Sequence, residues 1–228
     1  MTPASVLQRT FMFKYGDGMG TCFTLDFEGR QYLVTAKHVV KGISGSDRIE
    51  VFYANDWHTL AVTLVGEARN EADITVLTTD LQLSPAHPLP PVSLGDFFLS
   101  QDVYFVGFPY GLFTEVGDTN RNFPLPFVKK GIVSSWFTDE HGVKQFFLDG
   151  HNNPGFSGGP VVLPRFGTYE DFKVMAVVSA YRFENLPIYA GDTPTALAYR
   201  HNTGIVVAYD IKHATDVIQS NPIGFVLP

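Results

Sequence analysis

With 228 residues and 45% hydrophobic side chains, the chain is long enough for one globular domain or for two small barrels that share an interface. Its net charge of −7 argues against a nucleic-acid partner, and no basic run with interleaved aromatic residues is present. No stretch approaches the roughly 18 consecutive apolar residues of a membrane span, so a membrane partner is not expected either.

The beginning of the chain gives two indications about its cellular compartment. Residues 1–15 carry neither the apolar segment nor the small-residue cleavage site of a signal peptide. Cys22 is the only cysteine, which excludes a disulfide within the chain. Because disulfides are rare in reducing compartments, we expect a cytoplasmic location; a mature chain from which a signal peptide has been removed is the alternative.

Short runs rich in Val, Ile, Phe, Tyr and Thr follow one another along the chain, separated by Gly, Pro, Asn and Asp. They predict strands at residues 31–34, 49–53, 60–64, 74–77, 103–106, 145–148, 161–163, 174–179 and 204–209. One helix is predicted near the C-terminus, where Asp210 precedes a segment from Lys212 to Ile218 and Asn221-Pro222 ends it. This pattern indicates an all-β barrel or sandwich.

Two polar residues stand at strand ends. The strand that begins at Leu33-Val-Thr-Ala is predicted to end at His38, and Asp73 directly precedes the apolar run Ile74-Thr-Val-Leu77. Taken singly, a histidine at a strand end is more often a half-buried structural residue, and a carboxylate before a strand is more often a turn residue.

A glycine-rich segment, Asp149-Gly-His-Asn-Asn-Pro-Gly-Phe-Ser-Gly-Gly-Pro160, changes that interpretation. Ser157 becomes a nucleophile when a neutral imidazole accepts its proton, and a carboxylate must hold that imidazole in the correct tautomer. The order His38, Asp73, Ser157 suits such a triad, with the imidazole within hydrogen-bond reach of the hydroxyl. The N–H groups of Gly155 and Ser157 would form the oxyanion hole.

A different fold can place a serine in the same local pattern. Gly155-Phe-Ser157-Gly-Gly159 formally matches the nucleophile elbow of α/β-hydrolases, which must lead into a helix. Here it leads into Pro160-Val-Val-Leu-Pro164, a β-branched segment that two prolines interrupt, so this alternative is disfavoured.

The chain resembles the trypsin/chymotrypsin-fold serine peptidases, and in pattern the bacterial trypsin-like and HtrA-type protease domains. The likeness extends roughly from Gly20 to Ile218, and its most specific part is the serine segment. The other segments that carry it are Gly20-Thr-Cys-Phe23, Thr35-Ala-Lys-His38-Val, Asp73-Ile-Thr-Val-Leu77, Val106-Gly-Phe-Pro-Tyr-Gly-Leu112 and Gly131-Ile-Val-Ser-Ser135.

The resemblance implies two six-stranded antiparallel β-barrels with a short C-terminal helix. Residues 1–90 would form the first barrel, with His38 and Asp73, and residues 91–228 the second, with Ser157. The proline-rich segment 84–91 would link them. The implied activity is a serine endopeptidase that acts on protein or peptide substrates through an acyl-enzyme, without a metal or another cofactor.

The resemblance also places the substrate. Ser179, Ala180 and Tyr181 match the segment that pairs with substrate backbone, and His151 takes the position at the base of the specificity pocket. A histidine there disfavours a preference for Lys or Arg before the cut. Tyr181 stands where many relatives have glycine and would narrow the pocket, which favours a small or aliphatic residue.

Phe156 departs from the family, since it occupies a position that usually holds Asp or Asn. We expect it to pack inward as a core residue, although a displaced Gly155 peptide would leave the oxyanion hole incomplete. Two alternatives to an active protease therefore remain open. One is a catalytically silent or partner-gated binding protein on the same fold, and the other is an esterase that uses the same site.

Overall fold

The fold is built from two closed arrangements of antiparallel strands. The computed structural model describes residues 4–86, 89–93, 95–165 and 171–228. The first six strands are β1 (Thr10–Tyr15), β2 (Gly18–Phe27), β3 (Arg30–Thr35), β4 (Ser46–Tyr53), β5 (Asp56–Glu67) and β6 (Thr75–Thr78). They run in the order β3-β2-β1-β4-β5-β6, and β6 pairs back with β3 through Leu33 and Leu77, which closes a six-stranded ring.

The second half of the chain forms a closed barrel of six strands. These are β7 (Asp102–Gly107), β8 (Phe127–Thr138), β9 (Lys144–Asp149), β10 (Pro160–Pro164), β11 (Phe172–Ala190) and β12 (Thr193–Asp210). Their order around the barrel is β10-β11-β12-β9-β8-β7. The all-β, two-barrel prediction is therefore confirmed, and the segment after Ser157 enters a strand, not the helix that an α/β-hydrolase needs.

The remaining elements are short. Helix α1 spans Ala4–Leu7, helix α2 spans Lys212–Ser220, and β13 (Phe225–Val226) pairs with β3. The predicted C-terminal helix is thus confirmed, and the chain returns to the first ring after it. None of the helices in the described residues has the length and apolarity to cross a membrane.

Buried apolar side chains join the two barrels into one core. One cluster contains Val34 and Ile74 from the first ring together with Val162 and Val177 from the second barrel. Alternate residues of the strands point inward and supply these contacts. The division of the chain at residue 90 stays a prediction, and residues 87 and 88 of the proposed linker lie outside the described part of the chain.

Strands β11 and β12 extend well beyond the barrel as a two-stranded arm, residues 182–201. Its side chains are exposed with the single exception of half-buried Leu186, and the turn at its tip contains Gly191 at φ +64°. The predicted strands at 174–179 and 204–209 covered only the barrel part of this hairpin. The arm was not predicted because it faces no core and lacks the alternation that burial imposes on a strand.

Candidate active site

Strand pairing brings His38 and Asp73 together. Strands β3 and β6 are antiparallel, with Thr35 opposite Thr75. The residues just after the end of β3 and just before the start of β6 therefore lie at the same edge of the ring. The strand ends at Thr35 and not at His38 as predicted, and His38 lies in the short 3-10 turn Lys37–Val40 that follows.

The hydrogen bonds between these two residues hold the imidazole in one orientation. Nδ1 of His38 lies 2.6 Å from Oδ2 of Asp73, and the His38 backbone N–H donates to Oδ1 over 2.9 Å. Because a carboxylate only accepts hydrogen bonds, Nδ1 carries the proton and Nε2 is left as the acceptor of a neutral imidazole. The His38 side chain is 51% exposed, so Nε2 is open to the cleft.

Asp73 is held in its charged form. Burial alone would raise the pKa of this carboxyl, but hydrogen bonds from His38, the attraction of that ring and a hydrogen bond from the Ser179 hydroxyl lower the pKa below its usual value. The Ser179 Oγ donates to Oδ2 at 2.5 Å, and Ser179 is buried. An ionised carboxylate in this position stabilises a positive charge on His38.

The loop that carries Ser157 connects β9 to β10 and is bonded to both barrels. The Ser157 carbonyl accepts from the Thr21 N–H of the first ring at 2.9 Å, and the Gly158 N–H donates to Val178 of the second barrel at 2.7 Å. A Cβ atom on Gly158 would lie 2.1 Å from the Thr21 carbonyl oxygen, and its φ is +85°. Only glycine fits both the space and the conformation.

The Ser157 hydroxyl donates to the backbone carbonyl of Ser179, 3.1 Å away. The expected hydrogen bond between this hydroxyl and His38 is not present among the described residues. The four residues nevertheless form one connected network. The Ser157 hydroxyl bonds the Ser179 backbone, the Ser179 hydroxyl bonds Asp73, and Asp73 bonds the His38 ring.

The backbone N–H groups around Ser157 divide into bonded and free ones. Phe156, Gly158 and Gly159 donate to carbonyls of Asn153, Val178 and Phe156, respectively. Those of Gly155 and Ser157 have no acceptor within the described part of the protein. The free donors are therefore the two that were predicted for an oxyanion hole.

The contacts behind the loop set the direction of the Gly155 N–H. The Pro154 carbonyl accepts from the Tyr110 N–H at 2.7 Å. In a trans peptide the C=O and N–H point in opposite directions, so the Gly155 N–H points away from Tyr110. Thr21 Oγ1 fixes the next peptide of the loop, because it donates to the Gly155 carbonyl over 2.7 Å and accepts from the Phe108 N–H at 3.1 Å.

Phe156 is fully buried and meets Phe105 edge-on at 5.2 Å between ring centroids. The expectation that it packs inward is confirmed. With Phe156 in the core of the second barrel, the Gly155 N–H keeps the direction described above. The presence of Phe at this position therefore does not displace the Gly155 peptide.

A cavity of about 310 Å³ opens beside Ser157. Three of the residues predicted to bind substrate, Ser179, Ala180 and Tyr181, line it. His151 is exposed and does not line it; its backbone carbonyl accepts from Lys129 Nζ at 2.6 Å. A role for His151 in substrate selection therefore stays a prediction without a contact to support it.

The cavity also has residues that the sequence did not single out. Asn152 forms part of its wall, and Phe183 and Arg200 reach it from the base of the arm, where the guanidinium lies 4.0 Å from the ring centroid. Phe183 and Arg200 were both missed from the sequence; the one signal that could have found them is the Gly191-Asp192 turn between β-forming residues, which suits a hairpin with Phe183 near Arg200. In the described residues, no group of three or more His, Cys, Asp or Glu side chains could hold a metal ion.

Two β-barrels with a histidine, a carboxylate and a glycine-flanked serine at their junction define the class of trypsin-like serine proteases. The family model described as "Trypsin-like peptidase domain" matches residues 20–167, more than half of the chain. The chain therefore belongs to the trypsin-like peptidase family. No curated protein matches it.

Solved structures share the fold at low sequence identity. The HtrA-type protease AlgW with tripeptide is 24% identical, with a TM-score of 0.58, over 95% of this chain and 61% of that one. The serine endoprotease from Yersinia pestis is 19% identical, with a TM-score of 0.59, over 95% of this chain and 63% of that one. This chain thus spans less than two thirds of the length of these relatives.

A third structure is similar in length to this chain. It is the inactive form of a serine-to-alanine mutant of Rv3671c from M. tuberculosis H37Rv, 16% identical with a TM-score of 0.59, over 96% of this chain and 89% of that one. At these identities the likeness shows the fold alone.

Proposed function

We propose that this protein is a serine endopeptidase that cleaves peptide bonds through an acyl-enzyme on Ser157. The observation that carries the proposal is the hydrogen-bond network that links Ser157, Ser179, Asp73 and His38 at the junction of the two barrels. The two free N–H groups beside the serine support it further.

In the first half of the reaction, Nε2 of His38 takes the proton of the Ser157 hydroxyl as the oxygen attacks the scissile carbonyl carbon. The carbonyl oxygen becomes an oxyanion that accepts from the N–H groups of Gly155 and Ser157, a stabilisation of about 3–4 kcal/mol per donor. His38 then gives its proton to the leaving amine as the C–N bond breaks.

In the second half, water attacks the acyl-enzyme. His38 takes a proton from the water, and the tetrahedral intermediate collapses to release the carboxylic acid and to return the proton to Ser157. Throughout, Asp73 holds the Nδ1–H tautomer and stabilises the charged ring. Substrate would bind as an added strand along Ser179–Tyr181. Because only a polypeptide backbone can pair in this way, the expected partner is a protein or peptide.

Labelling with a fluorophosphonate probe tests the proposal, because the probe reacts only with an activated serine. We expect labelling of the wild type, none of Ser157→Ala, and at least about a hundredfold slower labelling of His38→Ala, the usual effect of losing a general base. Ser135→Ala, an exposed serine on β8, is the matched control and should label like the wild type. Labelling that persists in Ser157→Ala contradicts the assignment.

A second candidate is a catalytically silent or partner-gated binding protein on the same fold. The observation that favours it is the direction of the Ser157 hydroxyl, which donates to Ser179. A well-folded wild type that resists the probe would support this candidate. The esterase alternative is separated by comparing turnover of a peptide with turnover of the matching ester.

We also propose a reducing, cytoplasmic location. The composition supports it, since the only cysteine is Cys22 and that side chain is buried. Fractionation of cells that express the native gene tests this location, and recovery of the protein outside the cytoplasm would contradict it.

A further inference from the structure

One edge of strand β11 has no partner strand over much of its length. The strand pairs with β10 only as far as Val177, and from Ala180 to Ala190 its paired residues lie on β12 alone. The second edge of β11 is therefore unpaired along the arm, within the part of the chain that the structure describes. Free N–H and C=O groups at a sheet edge are a template for another extended chain.

Two contacts show which residues of β11 face this free edge. The carbonyl of Arg182 accepts from Thr203 Oγ1 at 2.9 Å, and that of Ile188 accepts from Thr195 Oγ1 at 2.7 Å. Both threonines belong to β12. Because successive residues of a strand direct their N–H and C=O groups to opposite edges, the even-numbered residues face β12 and the odd-numbered ones face the free edge.

Pro187 agrees with this alternation. A proline has no N–H, so within a sheet it is found where the ladder needs no donor, and in a hairpin that is the outer edge. The odd-numbered Pro187 therefore faces the free edge and ends its row of donors. Before it, the edge offers the N–H and C=O groups of Tyr181, Phe183 and Asn185.

The free edge begins beside the proposed nucleophile. The Ser179 carbonyl accepts from the Ser157 hydroxyl at 3.1 Å, so this carbonyl points into the cleft. The cavity beside Ser157 is lined by Tyr181 and extends to Phe183 at the base of the arm. A substrate strand that pairs along Ser179–Tyr181 and continues in the same direction therefore meets the arm.

We propose that the arm extends the substrate-binding edge, so that a polypeptide pairs with β11 as far as the seventh residue before the cut. If the residue next to the cut donates to the Ser179 carbonyl, antiparallel pairing places the third, fifth and seventh residues opposite Tyr181, Phe183 and Asn185. This inference rests on the proposed peptidase function. It names the substrate as an extended polypeptide segment without proline at the fifth or seventh residue.

A third strand would also stabilise the arm. A two-stranded hairpin is marginally stable in water by itself, and three strands or packing against another element are needed for independent stability. The arm exposes large apolar side chains, with exposed fractions of 46% for Phe183, 58% for Tyr189 and 66% for Leu197. A substrate strand would supply the missing third strand.

Peptides of two lengths test the inference. With four and with eight residues before the same cut, we expect the longer peptide to have a kcat/KM at least about tenfold higher, because two further pairs of backbone hydrogen bonds form. N-methylation of the seventh residue should lower the rate of the longer peptide at least about threefold. N-methylation of the sixth residue, whose N–H points away from β11, is the control. Equal rates for both lengths, or equal losses from both methylations, would overturn the inference.

Two substitutions of one residue show whether the free edge is responsible. Asn185→Pro removes an N–H from this edge, and the ratio of the eight-residue to the four-residue rate should fall at least about threefold. Asn185→Ala is the matched control, because it removes the side chain and keeps the N–H, and its ratio should stay within about twofold of the wild type. Both rates come from the same preparation, so incomplete folding of a variant does not change the ratio. A wild-type ratio in Asn185→Pro would overturn the inference.

Fluorophosphonate labelling separates this inference from the proposed function. A wild type that labels at Ser157 and cleaves both lengths equally overturns the inference alone, and one that neither labels nor cleaves overturns both. Sedimentation tests a second copy of the chain as the occupant of the edge. A dimer that is lost when Asn-Gly replaces residues 184–201, together with cleavage that is independent of peptide length, would assign the edge to that second copy and overturn the inference.

Discussion

Ser157 and Ser179 are joined by a hydrogen bond from the hydroxyl of the first to the backbone carbonyl of the second, 3.1 Å long. That carbonyl belongs to the strand edge on which we propose that substrate pairs. If a substrate N–H donates to the Ser179 carbonyl, it replaces the Ser157 hydroxyl there. That hydroxyl can then turn towards His38. Binding of the substrate backbone would in this way help to prepare the nucleophile.

This relationship predicts that the N–H of the substrate residue before the cut is needed for rapid acylation. Replacing that N–H by N-methyl should lower kcat/KM at least about tenfold, since the substrate then cannot displace Ser157 from the Ser179 carbonyl. Peptide cleavage rates measure the effect. N-methylation one residue further from the cut, where the N–H of an added antiparallel strand points away from β11, is the control and should change the rate much less. Equal losses in both peptides would argue against the mechanism.

The lowered pKa of Asp73 predicts a specific dependence of stability on pH. A carboxyl whose pKa is lower in the folded than in the unfolded state stabilises the fold above its unfolded value of about 3.9, and this contribution is lost as pH falls through the folded value. Asp73→Asn should therefore lie furthest below the wild type in free energy of unfolding near pH 7, and the gap should narrow towards pH 2–3.

Urea denaturation at pH 7, 5 and 3 measures this gap. Asp17→Asn, an exposed carboxylate of the turn before β2, provides the control and should show little difference from the wild type at any of these pH values. A gap between Asp73→Asn and the wild type that is independent of pH would show that folding does not lower the pKa of Asp73.

Thr21 is predicted to hold the serine loop in place. Thr21→Val keeps the shape of the side chain but leaves the Gly155 carbonyl and the Phe108 N–H buried without partners, at a cost of about 1–3 kcal/mol for each group. The free energy of unfolding, measured by urea denaturation, and the rate of fluorophosphonate labelling should both be lower than in the wild type. Thr59→Val, an exposed threonine on β5, should change the free energy of unfolding by less than about 0.5 kcal/mol.

The arm is predicted to contribute little to the stability of the barrels. Phe183 and Asn202 lie opposite each other in the hairpin, so residues 184–201 can be replaced by an Asn-Gly turn between them. Because the removed side chains are almost all exposed, the free energy of unfolding should change by less than about 1 kcal/mol. Met175→Ala, in the buried part of β11, is the control for sensitivity. It should lower the free energy of unfolding by about 2–5 kcal/mol. Unfolding of the shortened chain would mean that the arm packs on the barrel.

The barrel strands and the serine loop could be predicted because their signals are local. Strands that face a core, such as Val103–Val106, concentrate β-branched and aromatic residues, and the glycines beside Ser157 are required by the backbone conformation itself. The arm gave no such signal, since neither of its faces is buried. Strand β13 is only two residues long, too short for any pattern.

Other properties of the site depend on three-dimensional contacts that no spacing encodes. Asn152, for example, gives its side-chain nitrogen to Ala180 and its backbone carbonyl to Asn202, while its Oδ1 has no partner among the described residues. The direction of the Ser157 hydroxyl likewise depends on the position of the Ser179 carbonyl, 22 residues further along the chain. The sequence motifs identified the residues of the candidate site, but they could not show which hydrogen bonds those residues make.

The hydrogen bonds from Thr21 to the carbonyls of Gly155 and Ser157 have a consequence for the synthesis of the protein. While the ribosome has delivered only the first barrel, His38 and Asp73 exist without a nucleophile. The serine loop acquires its anchor only when the second barrel docks against Thr21. A chain whose second barrel has not yet docked therefore cannot act as the proposed peptidase, either on itself or on a neighbouring nascent chain.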